Sequence, residues 1–396
     1  MSVQIAARTL ATYPMLEKLV AFDTTSWKSN LELIAFVQDY LEGLGFQTQL
    51  TYDDDRRKAN MLASIGPLDR PGVILSGHTD VVPVDGQAWD SDPFQVTERD
   101  GLLFGRGTSD MKTFLAASLA LAPEFIQRGL ERPLYLALSY DEEVGCIGVR
   151  RLIAELPALP AKPFLCIVGE PTEMRIIIGH KGKKSMRCRV HGLECHSALA
   201  NQGVNAVEAA AELVAYMKTM QRRLRDHGPH DHEYDPPYTT IHTGVIQGGT
   251  ALNIVPRECL IEFEIRNLPD DDPEALFAEI RDYALTRLEP EMKAVHPEAG
   301  FTFEEVNFTP GLHMAAEDEA TAFVAALTGA NNTSGRVSFG TEAGLFQDAG
   351  IPTIICGPGS IEQAHKPNEF IAIEQIAQCE SFLRRLMDRI CRPASA

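Results

Sequence analysis

The chain has 396 residues, 44% of them hydrophobic, with 36 Lys and Arg against 55 Asp and Glu for a formal net charge of −19. That length and apolar fraction predict a globular protein of two or three domains, and the acidic balance argues against nucleic acid as a partner, since phosphate binding needs clustered basic side chains. MSVQIAARTLATYPML lacks the apolar run of a signal peptide, no stretch approaches the roughly 18 apolar residues of a membrane span, and eight scattered Cys without a CxxC pair read as reduced thiols of a cytoplasmic protein.

The segment LELIAFVQDYLEGL (31–44) repeats apolar residues at helical spacing, and Gly45 follows as a C-cap. GVILSG (72–77) reads as a strand. A glycine-bearing turn, GRGTSD (105–110), opens a helical stretch at about 111–122. PLYLALS (133–139), PFLCIV (163–168) and PTIIC (352–356) are further strand-like runs. Uninterrupted apolar strands separated by helices predict an α/β core whose sheet is covered on both faces. The middle of the chain differs. KKSMRCRVH (183–191) and ECLIEFEIR (258–266) alternate polar and apolar, as half-buried strands do. Helical patterns fill about 204–224 and 273–288. This α+β unit is expected to be inserted, with residues 1–180 and 297–396 forming the first domain and 181–296 the second. Its two alternating strands predict a sheet edge suited to pairing across a two-fold axis.

Polar residues cluster after the core strands. His78-Thr79-Asp80 follows the first, Asp141-Glu142-Glu143 the second, Gly169-Glu170 the third, and His365 comes a loop after the last. Ligands of open α/β sheets bind beyond the carboxyl ends of strands, so these segments offer imidazoles and carboxylates to one crevice, with Asp110 from the glycine turn. Histidine and carboxylate donors without cysteine suit Zn²⁺ in a catalytic site, with Co²⁺ or Mn²⁺ as substitutes. Two cations about 3.5–4 Å apart need a shared carboxylate, a role that Asp110 fits. Of two adjacent glutamates, one can bind metal while the other stays a base. His227, His230 and His232 lie in a polar loop and read as solvated.

The segments SGHTDVVPVDGQAWDSDPF, GRGTSDMKTF, SYDEEVGCIG, VGEPT and CGPGSIEQAHKPNEF, in this order, resemble the zinc aminoacylase and carboxypeptidase G family over nearly the whole chain. The resemblance implies a mixed sheet with helices on both faces, an inserted lid or dimerisation domain, a homodimer, and two zinc ions per chain. His78 and Glu170 would hold one ion, Glu143 and His365 the other, and Asp110 would bridge them across a cis Asp110–Met111 peptide. Glu142 would be the general base and acid, and Asp80 would fix the tautomer of His78. His196 would polarise the scissile carbonyl, often from the partner subunit, and Asn253 and Arg266 would grip the substrate carboxylate. The activity implied is hydrolysis of an N-acyl amino acid, N-acetylornithine foremost, in arginine biosynthesis. Succinyl-diaminopimelate, other N-acyl amino acids and dipeptides are alternatives, as is a catalytically silent binding protein on the same fold. A substrate ammonium calls for an acidic partner, for which Glu342 is the candidate. A succinyl group would call for an extra cation from Lys112, Lys181 or Lys366.

Overall fold

A computed structural model describes residues 6–329 and 334–392. The chain divides into two compact units. One holds the chain up to Ile178 with Leu312–Gly335 and everything from Thr341 onward. The other holds Gly179–Gly311 with Arg336–Gly340.

The strands used below, in chain order, are β1 (Gln47–Tyr52), β2 (Ala59–Ile65), β3 (Val73–His78), β4 (Leu134–Ser139), β5 (Leu165–Pro171), β6 (Gly182–His191), β7 (Thr240–Gly248), β8 (Glu258–Asn267), β9 (Gly300–Thr309) and β10 (Thr353–Gly357). The helices are α1 (Thr12–Val20), α2 (Leu31–Gly43), α3 (Lys112–Ala120), α4 (Ala206–His227), α5 (Pro273–Tyr283) and α6 (Ile373–Ile390).

In the first unit the sheet runs β1-β2-β4-β3-β5-β10 and continues through a strand that begins at Ile177 and through Leu312–His313. β3 is parallel to β4 and β5, and β10 is parallel to β5, whereas β1 and β2 are antiparallel. Every residue of β3, β4, β5 and β10 is buried, so these apolar runs are covered on both faces, as uninterrupted strands require. The sheet is therefore mixed, with its parallel part at the centre. Register sets what matters for function. His78 lies opposite Ser139 and Ser76 opposite Val168, and Val168 lies opposite Ile355, so the carboxyl ends of these strands are level.

In the second unit the sheet order is β7-β8-β6-β9, antiparallel throughout. β6 and β8 are thus the central pair, and the edges are β7 and β9. The expectation that 183–191 and 258–266 form the edge is overturned. Their alternation arises because one face of the pair packs Met186, Cys188, Val190, Ile261, Phe263 and Ile265 against α4, not because the strands lack neighbours. The same pairing explains the boundary. β9 completes the sheet through β6, so the unit runs to Gly311 and not to 296. α4 starts where the Asn205 side chain accepts from the Val207 and Glu208 amides. Ala206, Ala210, Leu213, Met217, Met220 and Leu224 form its buried stripe.

Candidate metal centre

Three segments at the carboxyl edge of the first unit's sheet bring their polar residues together with Asp110 and His365. His78 ends β3, and its Nε2 lies 3.1 Å from Asp110 Oδ1 and 3.9 Å from Glu170 Oε1. His365 Nε2 lies 3.4 Å from Asp110 Oδ2 and 3.0 Å from Glu143 Oε2. His78, Asp110 and Glu170 therefore form one triad, and Asp110, Glu143 and His365 a second, each with ligand atoms within 4.8 Å of one another. Asp110 belongs to both and turns one oxygen towards each imidazole. The Asp110–Met111 peptide is cis.

Electrostatics follow from burying this many carboxylates together. Burial pushes Glu142 up to about 8 and Glu143 up to about 6, and raises Glu170 well above the carboxylate range. Contacts with Asp110 and Glu143 lift His365 to about 10. Burial opposes charge on His78, yet its bond to Asp110 and the charges of Glu170, Asp110 and Glu142 raise it. The site crowds carboxyl groups whose charge burial disfavours. Glu143 Oε1 and Glu170 Oε1 are also buried without a hydrogen-bond partner among the described residues, which is costly for a carboxylate. Two unpartnered oxygens, five N and O donors and no thiol fit a pair of divalent cations.

Glu142 stands outside both triads, and the buried Cys146 thiol donates to its Oε1 at 3.1 Å. Asp80 does more than the sequence implies. His78 Nδ1 meets the Asp80 carbonyl oxygen at 2.8 Å, and the Asp80 carboxylate is 3.7 Å away. That carboxylate instead accepts from the Glu142 amide (3.1 Å), the Glu143 amide (3.3 Å) and Ser26 Oγ (2.9 Å). Asp80 therefore holds the glutamate pair in place as well as the imidazole.

Glu342 does not fit the part of an ammonium acceptor. It is fully buried, and its two oxygens take hydrogen bonds from Ser76 Oγ (2.6 Å) and Ser139 Oγ (2.8 Å). It joins β3 to β4 beneath their ends. Two of the three lysines considered for a succinyl group are also committed elsewhere. Lys112 Nζ donates to the Leu19 and Phe22 carbonyls, and Lys181 Nζ to those of Pro236 and Tyr238. Lys366 is exposed.

His196, Asn253 and Arg266 belong to the second unit. A bridge between His196 and Ile254, and the Ser197 amide donating to the Asn253 carbonyl at 3.0 Å, set His196 and Asn253 side by side on exposed chain. His196 Nδ1 accepts from the Ala198 amide at 3.1 Å. The neutral ring then carries its proton on Nε2, where it can donate. Arg266 is half-buried on β8 with its Nε donating to Glu264 Oε1 at 2.9 Å.

Two further residues touch the centre's framework and were not singled out from sequence. One is Cys146, an apparently ordinary core thiol. The other is Glu369, whose carboxylate accepts from the amides of Gly107, Ser109 and Asp110. Its signal was a carboxylate four residues after His365 in a loop otherwise assigned to metal.

The chain matches Peptidase family M20/M25/M40 over residues 74–389. The chain belongs to this family. Membership makes it a metal-dependent hydrolase, in keeping with the two donor triads. An acetylornithine deacetylase of Myxococcus xanthus is 35% identical over 388 residues, covering 95% of this chain and 96% of that protein. One of Pasteurella multocida is 33% identical over 374 residues, covering 92% of each. Among solved structures, the aminopeptidase PepT of Bacillus cereus superposes with a TM-score of 0.72 at 20% identity, covering 98% of this chain and 99% of that one. A dinuclear metal binding peptidase of the M20 family from Bacillus subtilis does so at 0.65 and 14% identity, covering 95% and 96%. These likenesses agree with a mixed sheet carrying a separate antiparallel unit.

Proposed function

We propose that the protein hydrolyses the amide bond of N-acetylornithine to ornithine and acetate, using two Zn²⁺ held by His78, Asp110, Glu143, Glu170 and His365. The observation that carries the chemistry is a glutamate, Glu142, beside two cation triads but part of neither. A silent binding protein has no use for a free carboxylate there. The substrate is supported by the acetylornithine deacetylases that align over more than nine-tenths of the chain, and by the commitment of Lys112 and Lys181 to backbone carbonyls, which weakens the succinyl alternative.

A bound cation pair would act as a Lewis acid and lower the pKa of water. The remaining work falls to side chains. Glu142, outside both triads, takes the proton of the attacking water and returns it to the leaving amine, one carboxylate serving two steps. Asp80 keeps Glu142 and Glu143 in register through their amides. His196 donates from Nε2 to the oxygen of the scissile carbonyl, and Arg266 with Asn253 takes the α-carboxylate, for which the arginine fork is suited. We further propose a homodimer that works in the cytoplasm, where the eight free cysteines stay reduced, in arginine biosynthesis.

The test is kcat/KM of zinc-loaded protein for N-acetylornithine, N-acetylmethionine, N-acetylcitrulline and N-succinyl-diaminopimelate. N-acetylornithine is expected to be the best of the four. Comparable values for the three acetyl compounds would make the protein a general aminoacylase.

A further inference from the structure

Glu369 lies four residues beyond His365 and is 1% exposed, as is its partner Arg106. Oε2 accepts from Arg106 Nη1 at 2.6 Å and the Gly107 amide at 3.1 Å, and Oε1 from the amides of Ser109 at 2.8 Å and Asp110 at 3.0 Å. Its own carbonyl accepts from the Gly105 amide at 3.0 Å. A buried arginine alone would have balanced its charge. Instead, most of the carboxylate's bonds go to the amides of the turn that ends in Asp110, where Gly107 sits at φ +85°. The circuit then closes on His365. Arg106 Nη2 donates to Gln87 Oε1 at 2.7 Å, and Gln87 Nε2 donates to the His365 carbonyl at 3.1 Å. His365 itself has φ +63°, a left-handed conformation uncommon among non-glycine residues.

We propose that Glu369 is a positioning residue that locks the Asp110 turn to the His365 segment, so that the cation site of Asp110, Glu143 and His365 forms as a unit. The inference rests on the metal reading above and adds an asymmetry to it. Glu369 and its circuit fix two ligands of that site, Asp110 and His365. They fix only Asp110 in the site shared with His78 and Glu170. Loss of Glu369 therefore weakens the two sites unequally. A merely structural ion pair would lower the stability of the fold without favouring either.

The experiment titrates the metal-free full-length protein with Zn²⁺ against a competing chelator, for the unsubstituted chain, Glu369→Gln, Gln87→Ala and His365→Ala. His365→Ala identifies the binding step that belongs to its site. Glu369→Gln is expected to weaken that step by roughly 10- to 100-fold, the usual cost of losing a partner that orients ligands, and the other step by less. Gln87 is only half-buried, so Gln87→Ala keeps the fold and decides the matter if Glu369→Gln does not fold. It is expected to weaken the same step by a smaller factor while thermal unfolding of the metal-free protein stays unchanged. Unchanged affinities in both folded variants, or an equal fall in both steps, would overturn the inference and leave the metal reading standing. Failure of the unsubstituted chain to bind Zn²⁺ would overturn the metal reading itself.

Discussion

Glu142 and Glu143 are chain neighbours with different surroundings, and this is where single residues decide the chemistry. Glu143 Oε2 faces His365 at 3.0 Å and its Oε1 lacks a hydrogen-bond partner among the described residues, while the Glu142 carboxylate accepts from the Cys146 thiol. Glu142→Gln is expected to keep both zinc ions and the melting temperature and to lose roughly 10²- to 10⁴-fold in kcat, the usual contribution of a general base. Glu143→Gln is expected to lose one zinc. Metal analysis and kcat on both variants check this, and the reverse pattern would exchange the two roles. His180 gives a separate pH prediction. It is fully buried, and burial lowers its pKa to about 4 from an ordinary 6.5. Between these values the unfolded chain binds the extra proton, so stability is complete above about pH 6.5 and falls as pH drops towards 4. The difference is worth up to about 3 kcal/mol. Denaturant melts of His180→Gln should show a shallower decline across that window, and identical slopes would mean that His180 does not titrate on unfolding.

At the level of elements, the centre is as good as the alignment of strand ends beneath it. Gly169, one residue before Glu170, packs against α3 so closely that an added Cβ would lie 2.0 Å from the Phe114 ring. Gly169→Ala must displace β5 or α3, and is expected to cost about 1–3 kcal/mol and to lower zinc affinity through Glu170. A thermal melt and zinc titration of this variant measure both, and unaltered values would show that the contact yields freely. The strands that lead to the triads were legible in the sequence because each is a short apolar run with imidazole or carboxylate residues following it, as in GVILSG before His78. β7 and β9 were not. β7 is largely exposed and β9 mixes Glu304, Glu305 and Asn307 into its run, so neither shows the period-two contrast that marked β6 and β8. Missing them led to the wrong sheet edge. Glu342 was misread for a related reason. Its Gly-Thr-Glu context looks like a surface loop, and nothing local announces that Ser76 and Ser139, more than 200 positions away, will meet it.

For the molecule as a whole, the grouping of His78, Asp110, Glu143, Glu170 and His365 was readable because five motifs follow family order, whereas contacts that tie distant segments, such as Glu369 with the Asp110 turn, follow only from the folded chain. The dimer proposal now rests on β7, an edge strand on which Val245 and Ile246 are 40% and 50% exposed. Sedimentation should give a two-chain particle, and Ile246→Lys should give single chains with reduced turnover. A fully active single-chain particle in the unsubstituted protein would end the proposal. The central claim is that hydrolysis needs two cations on the triads that share Asp110. The direct measurement is the rate of N-acetylornithine cleavage as chelator-treated protein receives Zn²⁺ in increments. The account predicts no turnover without zinc and a rise that levels off at two equivalents per chain. Full turnover by the zinc-free protein, or none at any zinc level, would contradict it.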